Sequence, residues 1–333
     1  MSFERVAIIG TDTISVSIAL GLKNQAHPPE IIGYDATSLP AKLAHSRGAF
    51  DRVERKPERA CRGADLVIVA EPLTAIRETL ATIAPHLEPG CLVTDTACLQ
   101  APVMRWAEEL LPPNTPFFGG HPIPNPAAVG FAPLESLDRA SADLLAEALY
   151  FITIPAGFSE TEQVAGMIRS LDAYPYFIDA AEHDGLHAGA EGLPDLLAIA
   201  LLRATVDTPG WREMRNLAGR YFAAATQVAG NAAARHTAIF LNRENVRLRL
   251  DILLNELLRL RDLLSQDEAE PIEQAFIAAA EGRETWLQER ERGMWTREPT
   301  VSREDVPTLG QQLGQMLLGG MARKQAPARS RQK

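Results

Sequence analysis

The chain has 333 residues, with 43 acidic side chains against 33 basic ones and a formal net charge of −10, a balance that argues against general nucleic-acid binding despite a basic run at its extreme end. Its 46% hydrophobic and 23% charged content suits a globular protein with core enough for two domains, while no apolar stretch reaches membrane-span length and the first residues show no signal-peptide pattern. The three cysteines, Cys61, Cys91 and Cys98, have no paired spacing, so neither a disulfide framework nor a zinc knuckle is expected, and a reducing cytoplasm is.

In chain order, Arg5 to Ile9 reads as a buried strand closed by Gly10. A polar turn, Thr11, Asp12 and Thr13, leads into a helix with apolar residues at Ile14, Ile18, Leu20 and Leu22. This is the strand–turn–helix opening of a dinucleotide-binding unit, in which the helix N-terminus faces a diphosphate. A second strand, Glu30 to Tyr34, ends at Asp35, an acid placed for an adenosine ribose diol and against a 2′-phosphate. The glycine fingerprint is incomplete, because Asp12 and Ser15 stand at its second and third positions. Asp12 either repels a diphosphate or caps the helix with its own carboxylate.

Further strands are expected over Ala64–Ala70, Gly90–Asp95, Pro116–Pro122, Tyr150–Ile154 and Tyr176–Ile178, with helical stretches between them. The Pro116–Pro122 strand is expected to end in a loop that carries His121 to the carboxyl edge of the sheet, where open parallel sheets bind ligands. After Ala180 the strand signal stops and amphipathic runs take over, Asn245 to Leu264 above all. The expected architecture is therefore α/β: a Rossmann-like domain over residues 1–179 followed by an all-helical domain over 180–295. A C-terminal extension, 296–333, carries one helical candidate at Leu309–Met321 and a disordered end. Large apolar helix faces in the second domain point to a homodimer.

The run Gly119-Gly120-His121-Pro122 resembles the glycine-glycine-histidine-proline signature of the prephenate and arogenate dehydrogenases. Supporting matches follow in order: Val93-Thr94-Asp95, Glu182-His183-Asp184, Leu193-Pro194, Gly210-Trp211-Arg212-Glu213 and Glu284-Thr285-Trp286-Leu287. The resemblance implies oxidation and decarboxylation of a cyclohexadienol with NAD, in tyrosine biosynthesis. His121 would then draw off the substrate hydroxyl proton, with Cys98 standing where the family has a serine that supports it. Gly10, Thr11, Asp12, Thr13, Ile14, Asp35 and Asp95 would meet the cofactor.

Departures from the family pattern shape the expected substrate. Gln100 stands in place of a lysine, Glu191 and Asp195 replace a serine and a histidine, and the substrate-binding arginine falls on Asn216, leaving Arg212 and Arg215 nearby. Asp195 would pair with the ammonium of arogenate and repel the keto-acid of prephenate, so arogenate is the favoured small-molecule substrate. Glu191, Asp195, Arg212 and Arg215 form the expected substrate set. The alternative is a non-catalytic Rossmann-plus-helical homodimer with a degenerate site. His183, His187, Glu191 and Asp195 recur every four residues, the spacing of a metal-gripping stripe, but Pro194 distorts the last turn and no metal is expected. No lysine lies between Lys56 and Lys324, which excludes the lysine-dependent β-hydroxyacid dehydrogenase mechanism.

Overall fold

The computed structural model describes residues 3–291 apart from 126–128, 131–133, 135, 156, 207, 228–231 and 266–268. The helix expected at Leu309–Met321 and the rest of the C-terminal extension lie outside the described residues. An eight-stranded sheet with the order β3-β2-β1-β4-β5-β6-β7-β8 organises the described chain. Its strands are β1 (Arg5–Ile9), β2 (Glu30–Tyr34), β3 (Arg52–Val53), β4 (Leu66–Val69), β5 (Leu92–Asp95), β6 (Phe117–Ile123), β7 (Leu149–Thr153) and β8 (Tyr174–Phe177). The two-residue β3 had no counterpart in the sequence reading, being too short to show alternation.

Strands β1 to β6 pair in parallel. The crossovers are α1 (Thr13–Lys23), α2 (Ser38–Ser46), α3 (Pro57–Ala60), α4 (Leu73–Ile83) and α5 (Ala101–Leu110). Strand alternation divides the core between the two faces of the sheet. Val6, Ile8, Leu66 and Ile68 join one cluster with Val16, Ile18 and Phe118. Ala7, Ile9, Val67 and Val69 join the other with Leu80, Val93 and Val103. Helices on both faces explain why β1 and β4 are apolar almost throughout.

The sheet changes direction at β6. Its first residues pair in parallel with β5, Val93 opposite Phe117 and Thr94 opposite Phe118. From Gly119 to Ile123 it pairs antiparallel with β7, His121 opposite Phe151. Helix α6 (Thr161–Arg169) then leads to β8, parallel to β7.

Beyond β8 all regular structure among the described residues is helical: α7 (Ala180–His187), a π turn (Ala188–Gly192), α8 (Leu193–Thr205), α9 (Trp211–Leu217), α10 (Arg220–Thr226), α11 (Ala232–Leu241), α12 (Arg243–Leu264) and α13 (Glu270–Glu291). Asp179 caps α7 by accepting from the N–H groups of Ala181 and Glu182. The π turn lies against α12: a Cβ on Gly192 would come within 3.2 Å of Val246, and one on Gly189 within 3.5 Å of Arg249. Contacts knit the sheet and helices into one compact unit that runs to Glu291. Within the single chain α12 buries only Val246 and α13 buries nothing, leaving Leu248, Ile252, Leu257, Leu264 and Phe276 exposed.

Ile68 is fully buried in a central strand. Ile68→Ala should lower unfolding free energy by about 2–5 kcal/mol through lost burial and a residual cavity. Urea unfolding measures this directly, and a loss below about 1 kcal/mol would mean that this core collapses around the gap.

Candidate active site

Gly10 ends β1 with φ +99°, and a Cβ there would lie 2.3 Å from the Ala70 carbonyl oxygen. Only glycine fits this turn, because β1 and the end of β4 approach too closely for a side chain. Asp12 is the N-cap of α1: its carboxylate accepts from the Ser15 N–H at 2.7 Å, and the Ser15 hydroxyl accepts from the Asp12 N–H at 2.9 Å. Of the two readings open for Asp12, the capping role is the one observed. Asp35 accepts from the Thr11 N–H at 2.9 Å and from the N–H and hydroxyl of Thr37, both at 2.7 Å. Thr13 donates its hydroxyl to the Ser136 carbonyl, and Ile14 is half-buried.

A third carboxylate, Glu71, follows β4, and sequence reasoning passed over it. Burial, then the charges of Asp35 and Asp12, push the Glu71 carboxyl up. A dinucleotide fits the glycine turn and the ribose acid, but its diphosphate would meet Asp12 at the helix N-terminus with Glu71 nearby. Glu71 could have been found as the residue directly after the apolar run of β4, at the carboxyl edge of the sheet.

His121 lies within β6, not in a loop beyond it, because the antiparallel ladder with β7 extends the strand. Its Nδ1 lies 3.0 Å from His183 Nε2. His183 is buried on α7, with its Nδ1 3.0 Å from Asp184 Oδ1. Asp184 also accepts from the N–H groups of Gln100, at 2.8 Å, and Ala101, at 3.0 Å, at the start of α5. Burial, reinforced by His183 and His187, lowers the His121 pKa well below its ordinary value, so the ring is neutral at neutral pH.

A cleft of about 350 Å³ opens in front of His121, lined also by Cys98, His187, Glu191, Asp195, Ala234, Arg235 and Ala238. The carboxyl edge of the sheet forms one wall, and α7, the π turn, α8 and α11 form the rest. Arg235 on α11 forms an ion pair with buried Asp195. Burial, then Asp195, pushes the Glu191 carboxyl up, with Arg235 opposing. The Asp195 carboxyl is also raised by burial, against the opposing effect of Arg235.

The structure thus brings His121, Cys98, Glu191 and Asp195 together but corrects four expectations. Arg212 and Arg215 are exposed on α9 and do not line the cleft; the cation there is Arg235, 40 residues along the chain from Asp195. Asp195 is already neutralised by that arginine, so it is not an open carboxylate awaiting an ammonium. Asp95, expected at the cofactor, has no exposed surface and accepts from the N–H groups of Ala97 and Gly120 at 2.9 and 3.0 Å, bracing β6 against β5. Burial pushes its carboxyl up to about 7. Cys98 lines the cleft, but the group that supports His121 is His183, and burial pushes the Cys98 thiol up to about 12, leaving it neutral. Among the described residues no group of histidine, cysteine and carboxylate side chains is arranged to hold a metal ion.

A strand order 3-2-1-4-5-6 with a glycine turn at the switch point between β1 and β4 defines the dinucleotide-binding class of α/β proteins, here with helices roofing the carboxyl edge. Family comparison narrows the class. The description "Prephenate dehydrogenase, nucleotide-binding domain" matches residues 18–174, and "Prephenate dehydrogenase, dimerization domain" matches 179–277. The chain belongs to the prephenate dehydrogenase family. The first match begins at Ile18, within α1, so the turn carrying Asp12 precedes it.

Prephenate dehydrogenase of Bacillus subtilis is 25% identical over 287 residues, covering 84% of this chain and 76% of that protein. Two solved structures share the fold. Prephenate dehydrogenase from A. aeolicus, in complex with hydroxyphenyl propionate and NAD+, gives a TM-score of 0.75 at 20% identity, covering 86% of this chain and 99% of that one. Synechocystis arogenate dehydrogenase gives 0.68 at 23% identity, covering 85% and 99%.

The histidine cluster generates a prediction about stability. Burial, with His183 adding to it, lowers the His187 pKa from 6.5 to about 4. The unfolded chain takes up this proton below 6.5, whereas the folded chain takes it up only near 4. Stability is therefore lost as pH falls through that window and levels off below it. His187→Gln should remove on the order of 2 kcal/mol of the acid-side loss. Urea unfolding at pH 7 and pH 4 reads the difference, and equal losses in the two proteins would show that His187 titrates normally.

Proposed function

We propose that this protein is an NAD-dependent dehydrogenase that oxidises and decarboxylates arogenate in preference to prephenate, serving tyrosine biosynthesis. The observation that carries the reading is a neutral His121 facing a cleft whose opposite wall holds one arginine and two carboxylates. His121 accepts the substrate hydroxyl proton as the carbon bearing that hydroxyl loses hydride. The ring carboxylate departs as carbon dioxide, the electrons of the broken C–C bond complete the aromatic ring, and the phenolate oxygen so formed takes the proton back from His121. NAD, when bound, accepts the hydride at its nicotinamide. Gly10, Thr11, Thr13 and Ile14 would form its turn and Asp35 would hold the ribose diol, where a 2′-phosphate would meet like charge. Cys98 completes the wall beside His121.

Charge decides between the substrates. Prephenate brings two carboxylates, whereas arogenate brings two and an ammonium. Arg235 is the cation in the cleft for a carboxylate, and Asp195 already draws on it. Glu191, together with an arginine already engaged by Asp195, leaves little positive charge for a doubly anionic substrate and so favours the one that carries its own. The exposed apolar faces of α12 and of the start of α13, in a segment matched by the family's dimerization domain, support a homodimer through the helical half. We place the division between the nucleotide and helical halves at residues 179 and 180, with the helical half running to 295. Cys61, Cys91 and Cys98 are free, which suits a reducing cytoplasm. Among the described residues no helix is long and apolar enough to cross a membrane.

Asp12→Gly separates the cap from the cofactor seat. Loss of the cap should cost only a few tenths of a kcal/mol, since glycine is itself tolerated at an N-cap, while removal of the carboxylate should tighten NAD binding in calorimetric titration. Unchanged or weaker binding would show that Asp12 does not oppose the diphosphate. Steady-state rates test the substrate reading. The ratio kcat/KM should be higher for arogenate than for prephenate, and Asp195→Asn, which releases Arg235, should narrow that difference. His121→Asn should lower kcat about a hundredfold or more. Equal use of both substrates by the wild type would remove the specificity assignment, and full activity of His121→Asn would remove the mechanism.

A further inference from the structure

We infer that His183 and Asp184 form a positioning relay that fixes the tautomer of His121, so that its Nε2 is the unprotonated, proton-accepting nitrogen. The inference rests on the role proposed for His121 above, and it begins at the far end of the chain of hydrogen bonds. The Asp184 carboxylate is bound at the N-terminus of α5, where Oδ1 accepts from the Gln100 N–H at 2.8 Å and Oδ2 from the Ala101 N–H at 3.0 Å. A helix N-terminus favours a carboxylate there, and both backbone donors are fixed. Asn242 holds the same residue from another side, donating its side-chain N–H to the Asp184 carbonyl oxygen at 2.7 Å.

With Asp184 as acceptor, His183 Nδ1, 3.0 Å from Oδ1, carries a proton and donates it. A neutral imidazole has one donor and one acceptor nitrogen, so His183 Nε2 is then an acceptor. Its partner at 3.0 Å is His121 Nδ1, which must donate. The same rule leaves His121 Nε2 without a proton, free to accept one. The rings of His121 and His183 meet edge to face, with centroids 5.2 Å apart, and Phe151 packs on His183 at 5.6 Å, restricting ring flips. When His121 accepts the hydroxyl proton it becomes an imidazolium whose Nδ1–H already points along a chain of acceptors ending in an anion. No proton beyond that one needs to move.

Neither His183 nor Asp184 lines the cleft; His183 sits behind His121 and His187, which do. The two relay residues act through His121, and their removal should change turnover while leaving binding nearly unchanged. Gln is the conservative replacement, because its carboxamide oxygen reaches roughly where His183 Nε2 accepts. Phe keeps the ring volume and has no acceptor.

The test combines spectroscopy and kinetics on the full chain. In protein labelled with ¹⁵N-histidine, long-range ¹H–¹⁵N correlation should show His121 protonated on Nδ1 and unprotonated on Nε2, with His183 in the same form. The His121 signals are assigned by their loss in His121→Asn. His183→Phe should lower kcat about a hundredfold, with KM for substrate and the dissociation constant for NAD changed less than about threefold, and His183→Gln should recover about tenfold of that loss. A proton on His121 Nε2, or an unchanged kcat in His183→Phe, would overturn the relay. If His183→Phe does not fold, the wild-type tautomer and His183→Gln carry the decision. Should the tautomer be as stated while His121→Asn stays fully active, the relay stands and the proposed function falls. Should His121→Asn be inactive while His121 Nε2 carries the proton, the function stands and the relay falls.

Discussion

One strand serves two ladders, and the site depends on it. β6 begins as the last parallel strand beside β5 and continues past the end of β5 as the antiparallel partner of β7. The transition is held by buried Asp95, whose carboxylate accepts from the Gly120 N–H one residue before His121. A Cβ on Gly120 would sit 2.6 Å from the Asp95 carbonyl oxygen and 2.9 Å from the Tyr150 ring, so glycine is required for the two strands to close to this distance. The extension carries His121 beyond the edge of the parallel sheet to where α7 can reach it. An aqueous loop histidine would have an ordinary pKa and many orientations; a strand histidine between two other imidazoles has neither.

Electrostatics distinguishes the two ends of the carboxyl edge. At the glycine turn, Asp12, Asp35 and Glu71 gather where a dinucleotide would lie, and the helix N-terminus is already satisfied by Asp12. In the cleft, one guanidinium is shared between Asp195 and any incoming carboxylate. On the proposed reading, both features disfavour strongly anionic partners relative to a ligand that supplies positive charge of its own. Coulomb interactions here act in partly desolvated surroundings, where a single unpaired carboxylate weighs several times more than at the surface. The helices that roof the cleft hold it through close packing, since the π turn sits on α12 through glycines with no side chain to separate them.

Much of this was legible in the sequence, for reasons that can be named. Alternation and near-continuous apolar runs marked β1, β4 and β5, because strands covered on both faces leave little freedom in residue choice. The glycine turn, Asp35 and the change to helix near Ala180 were visible for the same local reasons. What was missed is non-local. The pairing of Asp195 with Arg235 joins residues that no periodicity relates, so the nearer Arg212 and Arg215 drew the assignment instead. The antiparallel extension of β6 depends on a partner strand that comes later in the chain, and the run Gly119-Gly120 read as the start of a loop. The resemblance put Asp95 at the cofactor, yet the approach of β6 engages its carboxylate with the Gly120 N–H. The four-residue spacing of His183, His187, Glu191 and Asp195 was real: it puts His187, Glu191 and Asp195 on the cleft and His183 against His121.

The central claim is that His121 and the cleft around it remove hydride and carbon dioxide from one cyclohexadienol molecule, with His121 holding the hydroxyl proton in between. It is tested most directly by incubating the purified full chain with NAD and arogenate deuterated at the hydroxyl-bearing carbon, and counting products. The account predicts deuterium in the reduced nicotinamide, with reduced cofactor, carbon dioxide and aromatic product formed in equal amounts. Reduced cofactor without carbon dioxide, or no reduced cofactor when both ligands are shown to bind, would contradict it.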